Sequence, residues 1–231
     1  RPRYLCTSHR QRRCYLRDVR LDANAGVLIA HAMGLGKTLT VLALLHLLNM
    51  DKRCHAVLHC PKAVVAQWSD EAYKWRDYVN VATYTINVFD DRTVNRVVHQ
   101  WRQGGGLLIL QYDQLSRLVG DLQIDDDTVV ILDEAHLLKT PGTQLHSAVS
   151  SMPSTKRVML TGTPLQNNLD EYYTMTELIA PGLLGSSLAQ FRQSYGTVIE
   201  QGMHKDSSDS DVRACERMTQ VLRWQMDAVM H

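Results

Sequence analysis

No apolar run in this chain approaches the ~20 residues that a membrane-spanning helix requires. The longest candidate, Leu39 to Leu48, is short and is interrupted by His46. The first twenty residues are basic and broken throughout, without the charged-then-apolar layout of a secretory signal. Cysteines are few. Cys6, Cys14, Cys54, Cys60 and Cys215 form an odd, scattered set that suits free thiols in a reducing compartment and does not suggest a disulfide framework. A cytosolic or nuclear protein is therefore expected. An excess of one charge is also missing: the formal net charge is +1, so the global field announces no nucleic-acid binder. Internal repeats and low-complexity tracts are absent. What remains is an ordinary globular composition, 45% hydrophobic and 21% charged, in 231 residues, enough for one large domain or a domain with an appendage.

Local charge is more telling. Arg1, Arg3, Arg10, Arg12, Arg13, Arg17 and Arg20 crowd the first segment with Asp18 as its lone acid, while Asp125, Asp126 and Asp127 form an acidic turn. A basic segment can meet phosphates, and it can equally be a solvated face. Residues 1–25 are set apart on this ground as a basic N-terminal segment.

From Val27 onward short β-branched runs alternate with helical patterns, the signature of a parallel sheet with crossover helices. "VLIAHA", "AVLHC", "ATYTINVF", "LLILQ", "TVVILDE" and "KRVMLTG" read as strands. Thr38 to Met50, Val65 to Trp75 and Arg92 to Gln103 read as helices, the last stopped by Gly104, Gly105 and Gly106. Cys54, His55, His59 and Cys60 bracket one of these strands, and a strand is a better reading of them than a zinc cluster. After Leu160 strand signals cease. Residues 168–194 read as helical with a break at Pro181 and Gly182, and Ser207 or Ser208 could cap a final helix with Val212, Cys215, Leu222, Met226 and Val229 on one face. The expected fold is α/β: a three-layer, parallel-sheet, P-loop domain over residues 26–165, followed by a helical C-terminal extension over 166–231.

Three stretches carry chemistry. "HAMGLGKTLT" places Gly34, Leu35, Gly36, Lys37, Thr38 and Leu39 between a strand and a helix, where backbone N–H groups and a helix N-terminus can receive phosphate. Lys37 would neutralise the β- and γ-phosphates, and Thr38 would offer its hydroxyl to Mg²⁺. His31 stands where the formal pattern has its opening glycine. "VVILDEAH" supplies an acid pair at a strand end: Asp133 for Mg²⁺ and Glu134 to orient or deprotonate an attacking water. "LTGTPLQNN" brings small hydroxyl residues, Thr161 and Thr163, around Gly162; with His136 and Gln166 they suit an element that reports the γ-phosphate.

"MGLGKT", "DEAH" and "LTGTPLQNN", in this order, resemble the first RecA-like lobe of the Swi/Snf-type helicase-like ATPases, motors that move on duplex DNA and remodel chromatin or other protein–DNA complexes. "HCPKAVVAQWSDEAYKW" and "LILQYDQLSRL" resemble the blocks that lie between those motifs. "AHAMGLGKT", with Ala-His where most members have Asp-Glu, is similar to the ATRX-like branch, as are Phe191, Ile199, Gly202, Asp206-Ser207-Ser208, Asp211-Val212-Arg213, Arg217, Val221 and Leu222 in the extension. The resemblance covers about Gly26 to Met230 and makes His31 a trait of the branch. It implies ATP and Mg²⁺ as cofactors, duplex DNA as partner, a nuclear location, and Lys62, Gln111 and Tyr112 as contacts to DNA phosphates.

Two departures are visible. The upstream glutamine motif that recognises adenine is not seen in Arg1 to Arg20, where Gln11 is a poor match, so the chain is expected to start inside or after it. The resemblance also ends with the first lobe. The second RecA-like lobe supplies arginine fingers in such motors, and losing an arginine finger costs about 10³–10⁵ in turnover; a lone first lobe is expected to be inactive. A DEAH-type RNA helicase is the nearest alternative, with the "LQNN" continuation against it. A non-catalytic nucleotide-binding interaction lobe is another, opposed by the intact Lys37, Asp133 and Glu134. A small GTPase lacks its Asn-Lys-x-Asp guanine motif here.

Overall fold

A computed structural model of the chain describes residues 4–7, 14–17, 26–32, 34–51, 54–86, 90–162, 169–227 and 229–230. In chain order the elements are β1 (Tyr4–Thr7), β2 (Cys14–Arg17), β3 (Val27–Ile29), α1 (Lys37–Asp51), β4 (His55–Cys60), α2 (Val65–Lys74), β5 (Thr83–Thr85) and α3 (Asp91–Gly104). They continue with β6 (Gly106–Gln111), α4 (Tyr112–Leu122), β7 (Val129–Leu132), α5 (Gln144–Ser150), β8 (Arg157–Leu160), α6 (Leu169–Ile179), α7 (Leu188–Phe191), α8 (Thr197–Met203) and α9 (Asp209–Met226).

β3 to β8 form one six-stranded sheet in the spatial order β3-β8-β7-β4-β6-β5, and every neighbouring pair is parallel. A parallel sheet is covered on both faces, so its strands read as continuous apolar runs. β6 and β7 are buried at every residue. The alternation of side chains along each strand divides the core in two. Val129 and Ile131 of β7 point to the same side as Leu58 and Ile109, where Val41, Leu42 and Leu45 of α1 and Val65 and Trp68 of α2 cover them. Val130 and Leu132 point to the other side, with Val57, Leu108 and Leu110, beneath α3, α4 and the C-terminal helices. That makes three layers.

The helices are specified as the periodicity predicts. α3 buries Val94, Val98 and Trp101 along one stripe, starts where the Asp90 carboxylate accepts from Thr93 N at 2.9 Å, and stops at Gly105. α9 begins with a reciprocal cap: Ser208 Oγ accepts from Asp211 N at 3.3 Å, and the Asp211 carboxylate accepts from Ser208 N at 3.2 Å. Its buried face holds Leu222 and Met226, with Cys215 half-buried. Val212 does not join them; it is 39% exposed, because it lies at the margin of that stripe in the first turn. Val229 is buried but beyond the end of the helix.

Two features depart from expectation. The basic segment contains a two-stranded antiparallel hairpin, with Tyr4 opposite Arg17 and Thr7 opposite Cys14. And the end of the chain returns to the sheet: Leu28 N donates to Val229 O at 2.7 Å, and Leu28 and Met230 form a single parallel bridge along the open side of β3. That edge would otherwise offer unpaired backbone groups. Arg157 fastens the extension from the opposite end of β8. Its buried guanidinium donates to Leu178 O, Met152 O and Ser154 O at 2.8, 2.9 and 3.0 Å, and burial lowers its pKa.

Candidate nucleotide site

Because all six strands run parallel, their carboxyl ends share one edge of the sheet, the edge where open α/β folds bind ligands. The loop after β3 carries Gly34 to Lys37, the turn after β8 carries Thr161 and Gly162, and the turn after β7 carries Asp133 and Glu134. β8 lies between β3 and β7. Two strand spacings, about 10 Å, therefore separate the phosphate loop from the acid pair, with the Thr-Gly turn between them. Sequence order conceals this neighbourhood, since β8 comes last in the chain.

The loop has the conformation that a phosphate cradle needs. Gly34 and Gly36 take φ of +82° and +80°, where any other residue is strained, and a Cβ at either position would meet nothing within 4 Å. Glycine is thus required here for backbone freedom and not for space. His31 is not among the positive-φ residues, so the opening position needs no glycine; what it contributes is a carbonyl. Lys37 Nζ donates to His31 O at 2.8 Å and to Ala32 O at 3.4 Å, closing the loop upon itself. α1 begins at Lys37, and its first intrahelical bond is from Thr40 N to Gly36 O, 2.9 Å. The N–H groups of Lys37, Thr38 and Leu39 precede that bond and point out of the helix N-terminus, with no acid in the first turn to compete for them. Leu35 is 65% exposed at the tip. The donor set fits a nucleotide polyphosphate.

Asp133 is held on every side. Its N–H donates to His59 O at 2.9 Å, continuing the sheet ladder one residue past β7. Oδ1 accepts from Glu134 N at 2.9 Å, Oδ2 accepts from the Trp68 indole N–H at 2.7 Å, and its backbone carbonyl accepts from Tyr112 OH at 2.7 Å. Its charge also reaches Cys60, whose thiol is pushed up to about 12, first by burial and then by this carboxylate. Each carboxylate oxygen retains a lone pair, so the group fits a hydrated divalent cation together with the Thr38 hydroxyl. Glu134 sits in the left-handed region at φ 51°, an uncommon conformation for a non-glycine residue and one that concentrates at functional sites. Its Oε2 lies 3.2 Å from His136 Nδ1, within ion-pair distance although out of line for a hydrogen bond.

The remaining expected residues divide clearly. Thr161 is buried, with its N–H donating to Ile29 O at 3.1 Å; Gly162 is half-buried. Thr163 and Gln166 lie outside the described residues. Lys62 is exposed on a short 3₁₀ turn that leads directly into α2. Gln111 and Tyr112 instead face inward, 6% and 9% exposed: Gln111 opens α4 in a reciprocal cap with Gln114, and Tyr112 is spent on Asp133 and on stacking with His59, rings 6.4 Å apart. Of the Cys54–Cys60 stretch, His55–Cys60 is strand β4, with His59 and Cys60 on opposite faces. Trp68 has a functional partner that helical spacing alone could not reveal, since Asp133 is 65 residues away.

Comparison with known proteins bears on the family and the fold. The chain matches the SNF2-related domain over residues 8–226. It is 32% identical over 231 residues to the transcriptional regulator ATRX homolog of Drosophila melanogaster, covering 90% of this chain and 18% of that protein. It is 31% identical to human transcriptional regulator ATRX, covering 90% of this chain and 9% of that protein. It is 32% identical over 220 residues to the DNA repair and recombination protein RAD54 of Saccharomyces cerevisiae, covering 85% and 24%. The chain thus spans less than a quarter of the length of each of these relatives. The fold is similar to that of a Sulfolobus solfataricus SWI2/SNF2 ATPase core solved in complex with double-stranded DNA, with a TM-score of 0.70 at 24% identity, over 90% of this chain and 40% of that one.

Proposed function

The chain belongs to the SNF2-related family, and from that premise we propose that it is the ATP-binding first lobe of a motor that hydrolyses ATP to move on duplex DNA. The observation that carries the reading is the meeting of three motifs on one edge of the sheet: the phosphate cradle at Gly34–Lys37, the anchored Asp133 with Glu134 after β7, and the Thr161–Gly162 turn between them. In this reading residues 26–165 are the RecA-like lobe and 166–231 its helical extension, with a second RecA-like lobe needed to complete the site.

Gly34 to Leu39 would receive the phosphates through backbone N–H groups, and Lys37 would leave the His31 carbonyl to meet their charge. Thr38 and Asp133 would hold Mg²⁺, which when bound offsets negative charge on the phosphate oxygens. Glu134 would orient the attacking water and accept its proton, and His136, Thr161, Gly162, Thr163 and Gln166 would communicate the state of the γ-phosphate. Lys62, exposed beside the same edge, would contact DNA phosphates, while Gln111 and Tyr112 would act from inside the fold, by fixing the start of α4. Contacts to phosphates alone suit a motor that must ignore sequence. Such work on DNA or chromatin belongs in a nucleus, and among the described residues no helix is long and apolar enough to cross a membrane.

The test is ATP turnover by the longest natural polypeptide that carries these residues, with duplex DNA, single-stranded RNA or neither. Lys37→Ala should abolish nucleotide binding, and Glu134→Gln should bind and trap nucleotide while turnover falls at least about 10²-fold, the low end of a general base's contribution. Stimulation by RNA and not by duplex DNA would move the protein to the RNA helicases. Absence of turnover under every condition would leave a nucleotide-binding interaction lobe.

A further inference from the structure

Asp133 is reached from both faces of the sheet. Trp68, 1% exposed on the first turn of α2, approaches from one layer and donates to the carboxylate; Tyr112, the first residue of α4, approaches from the other and donates to the backbone carbonyl. Both donors stand at helix starts, and those helices start at the same edge of the sheet. The 3₁₀ turn Lys62–Val64 runs into α2 without a break, and Gln111 opens α4.

We infer that Trp68, with Tyr112 as its counterpart, is a positioning residue that sets the carboxylate of Asp133 and ties its place to the Lys62 turn. The inference rests on the ATPase reading for its purpose, and on geometry for its substance. A 2.7 Å indole N–H to carboxylate bond is at the short end of charge-assisted contacts, and it constrains direction as well as distance, because the indole is clamped in the core. Asp133 has no competing cation: among the described residues its side chain has no ion pair within 4.0 Å. Trp68 is thus what aims Oδ2, and Glu134 N what aims Oδ1. A shift of the Lys62 turn on meeting a phosphate backbone tilts the first turn of α2, and the indole carries that tilt to the carboxylate. In this way occupancy of the DNA track would be felt at the metal-holding group without any contact between the two.

The experiment has two arms on the full-length polypeptide. In the first, Trp68→Phe, which keeps an aromatic ring and removes the N–H, is compared with wild type for nucleotide binding across a Mg²⁺ series. The half-saturating Mg²⁺ concentration should rise about tenfold while affinity for metal-free nucleotide stays, and the ratio of duplex-stimulated to basal turnover should fall. A role in packing alone would weaken both binding modes together through lost stability. In the second arm the Trp68 indole N–H resonance is followed in Asp133→Asn and in Glu134→Gln, with no nucleotide present. It should move strongly in the first and little in the second. An indole resonance indifferent to Asp133→Asn overturns the inference, as does a wild-type Mg²⁺ dependence in Trp68→Phe. If wild type itself binds no nucleotide, the ATPase reading fails, and the indole arm still decides whether Trp68 holds Asp133.

Discussion

His59 makes the acid limit of this fold a quantitative matter. The ring is fully buried at the carboxyl end of β4, stacked on Tyr112, and among the described residues neither Nδ1 nor Nε2 has a hydrogen-bond partner. Burial without a partner disfavours the imidazolium and lowers the pKa from 6.5 to about 3. In the unfolded chain the ring regains its ordinary value. The unfolded state therefore takes up a proton as the pH falls through 6.5, whereas the native state stays neutral until about 3. The stability that His59 permits is complete above pH 6.5 and is lost progressively below it. Each pH unit in that window costs about 1.4 kcal/mol, so moving from neutral pH to pH 5 costs about 2 kcal/mol. A domain with about 5–15 kcal/mol in hand feels this. His59→Leu keeps roughly the volume, cannot titrate and leaves no buried nitrogen unsatisfied. Urea denaturation of both proteins at pH 7.5 and pH 5 isolates the ring, because every other titrating group is shared. The difference in unfolding free energy, variant minus wild type, should grow by about 2 kcal/mol in favour of the variant on acidification. A difference that stays constant with pH would refute the reasoning, for it would mean that His59 is protonated in the folded state or solvated within it.

Three further substitutions probe the frame and the cradle. Arg157→Met removes three donors at once and leaves the carbonyls of Met152, Ser154 and Leu178 without them; a loss of about 3 kcal/mol is expected, lowering Tm by about 10 °C in a thermal scan. Lys156→Ala, which removes only the exposed pair with Asp127 at 2.6 Å, should change Tm by no more than about 3 °C, since exposed pairs contribute at most about 1 kcal/mol. Gly36→Ala meets no neighbour within 4 Å, so the fold should survive, but at φ +80° the new residue costs about 1–2 kcal/mol in the loop conformation that receives phosphate. Calorimetric titration with nucleotide should show affinity about 5- to 30-fold lower, with an unchanged far-ultraviolet spectrum.

The sheet was legible in the sequence because a parallel strand covered on both faces has no polar side to hide it: β4, β6, β7 and β8 are near-continuous apolar runs. Their spatial order was not, since nothing local records that β8 inserts between β3 and β7. "VLIAHA" yielded only Val27–Ile29 as strand, for His31 and Ala32 must leave the ladder to turn their carbonyls toward Lys37. The β1–β2 hairpin was masked by the arginines around it, whose charge reads more loudly than a four-residue alternation. At the site, Gly34, Gly36, Lys37, Asp133 and Glu134 stood out because loop chemistry is written in contiguous residues. Trp68 did not, because at helical spacing an indole reads as core, and its bond to Asp133 depends on a tertiary neighbour. The resemblance implies Gln111 and Tyr112 as contacts to DNA phosphates, and the fold holds both largely buried at the start of α4.

The site is uneven in its readiness, and the unevenness follows from which groups have partners. Asp133 is fixed by four hydrogen bonds from three layers of the fold, and the glycine loop already holds its positive-φ conformation. Neither has to reorganise to receive a ligand. Lys37 does. Its ammonium is hydrogen-bonded to the His31 and Ala32 carbonyls, and on the proposed ATPase reading nucleotide would have to draw it away. Both bonds are charge-assisted, but one from ammonium to phosphate adds direct attraction between opposite charges, which a neutral carbonyl does not offer, and this is what would favour the exchange. The same two carbonyls fix the direction of the Lys37 side chain. The lysine is thus the moving part of a cradle whose backbone and acid are preset, which places the conformational cost of binding in one side chain and leaves the positions of Asp133 and Glu134 to be set by α2, α4 and the Lys62 turn.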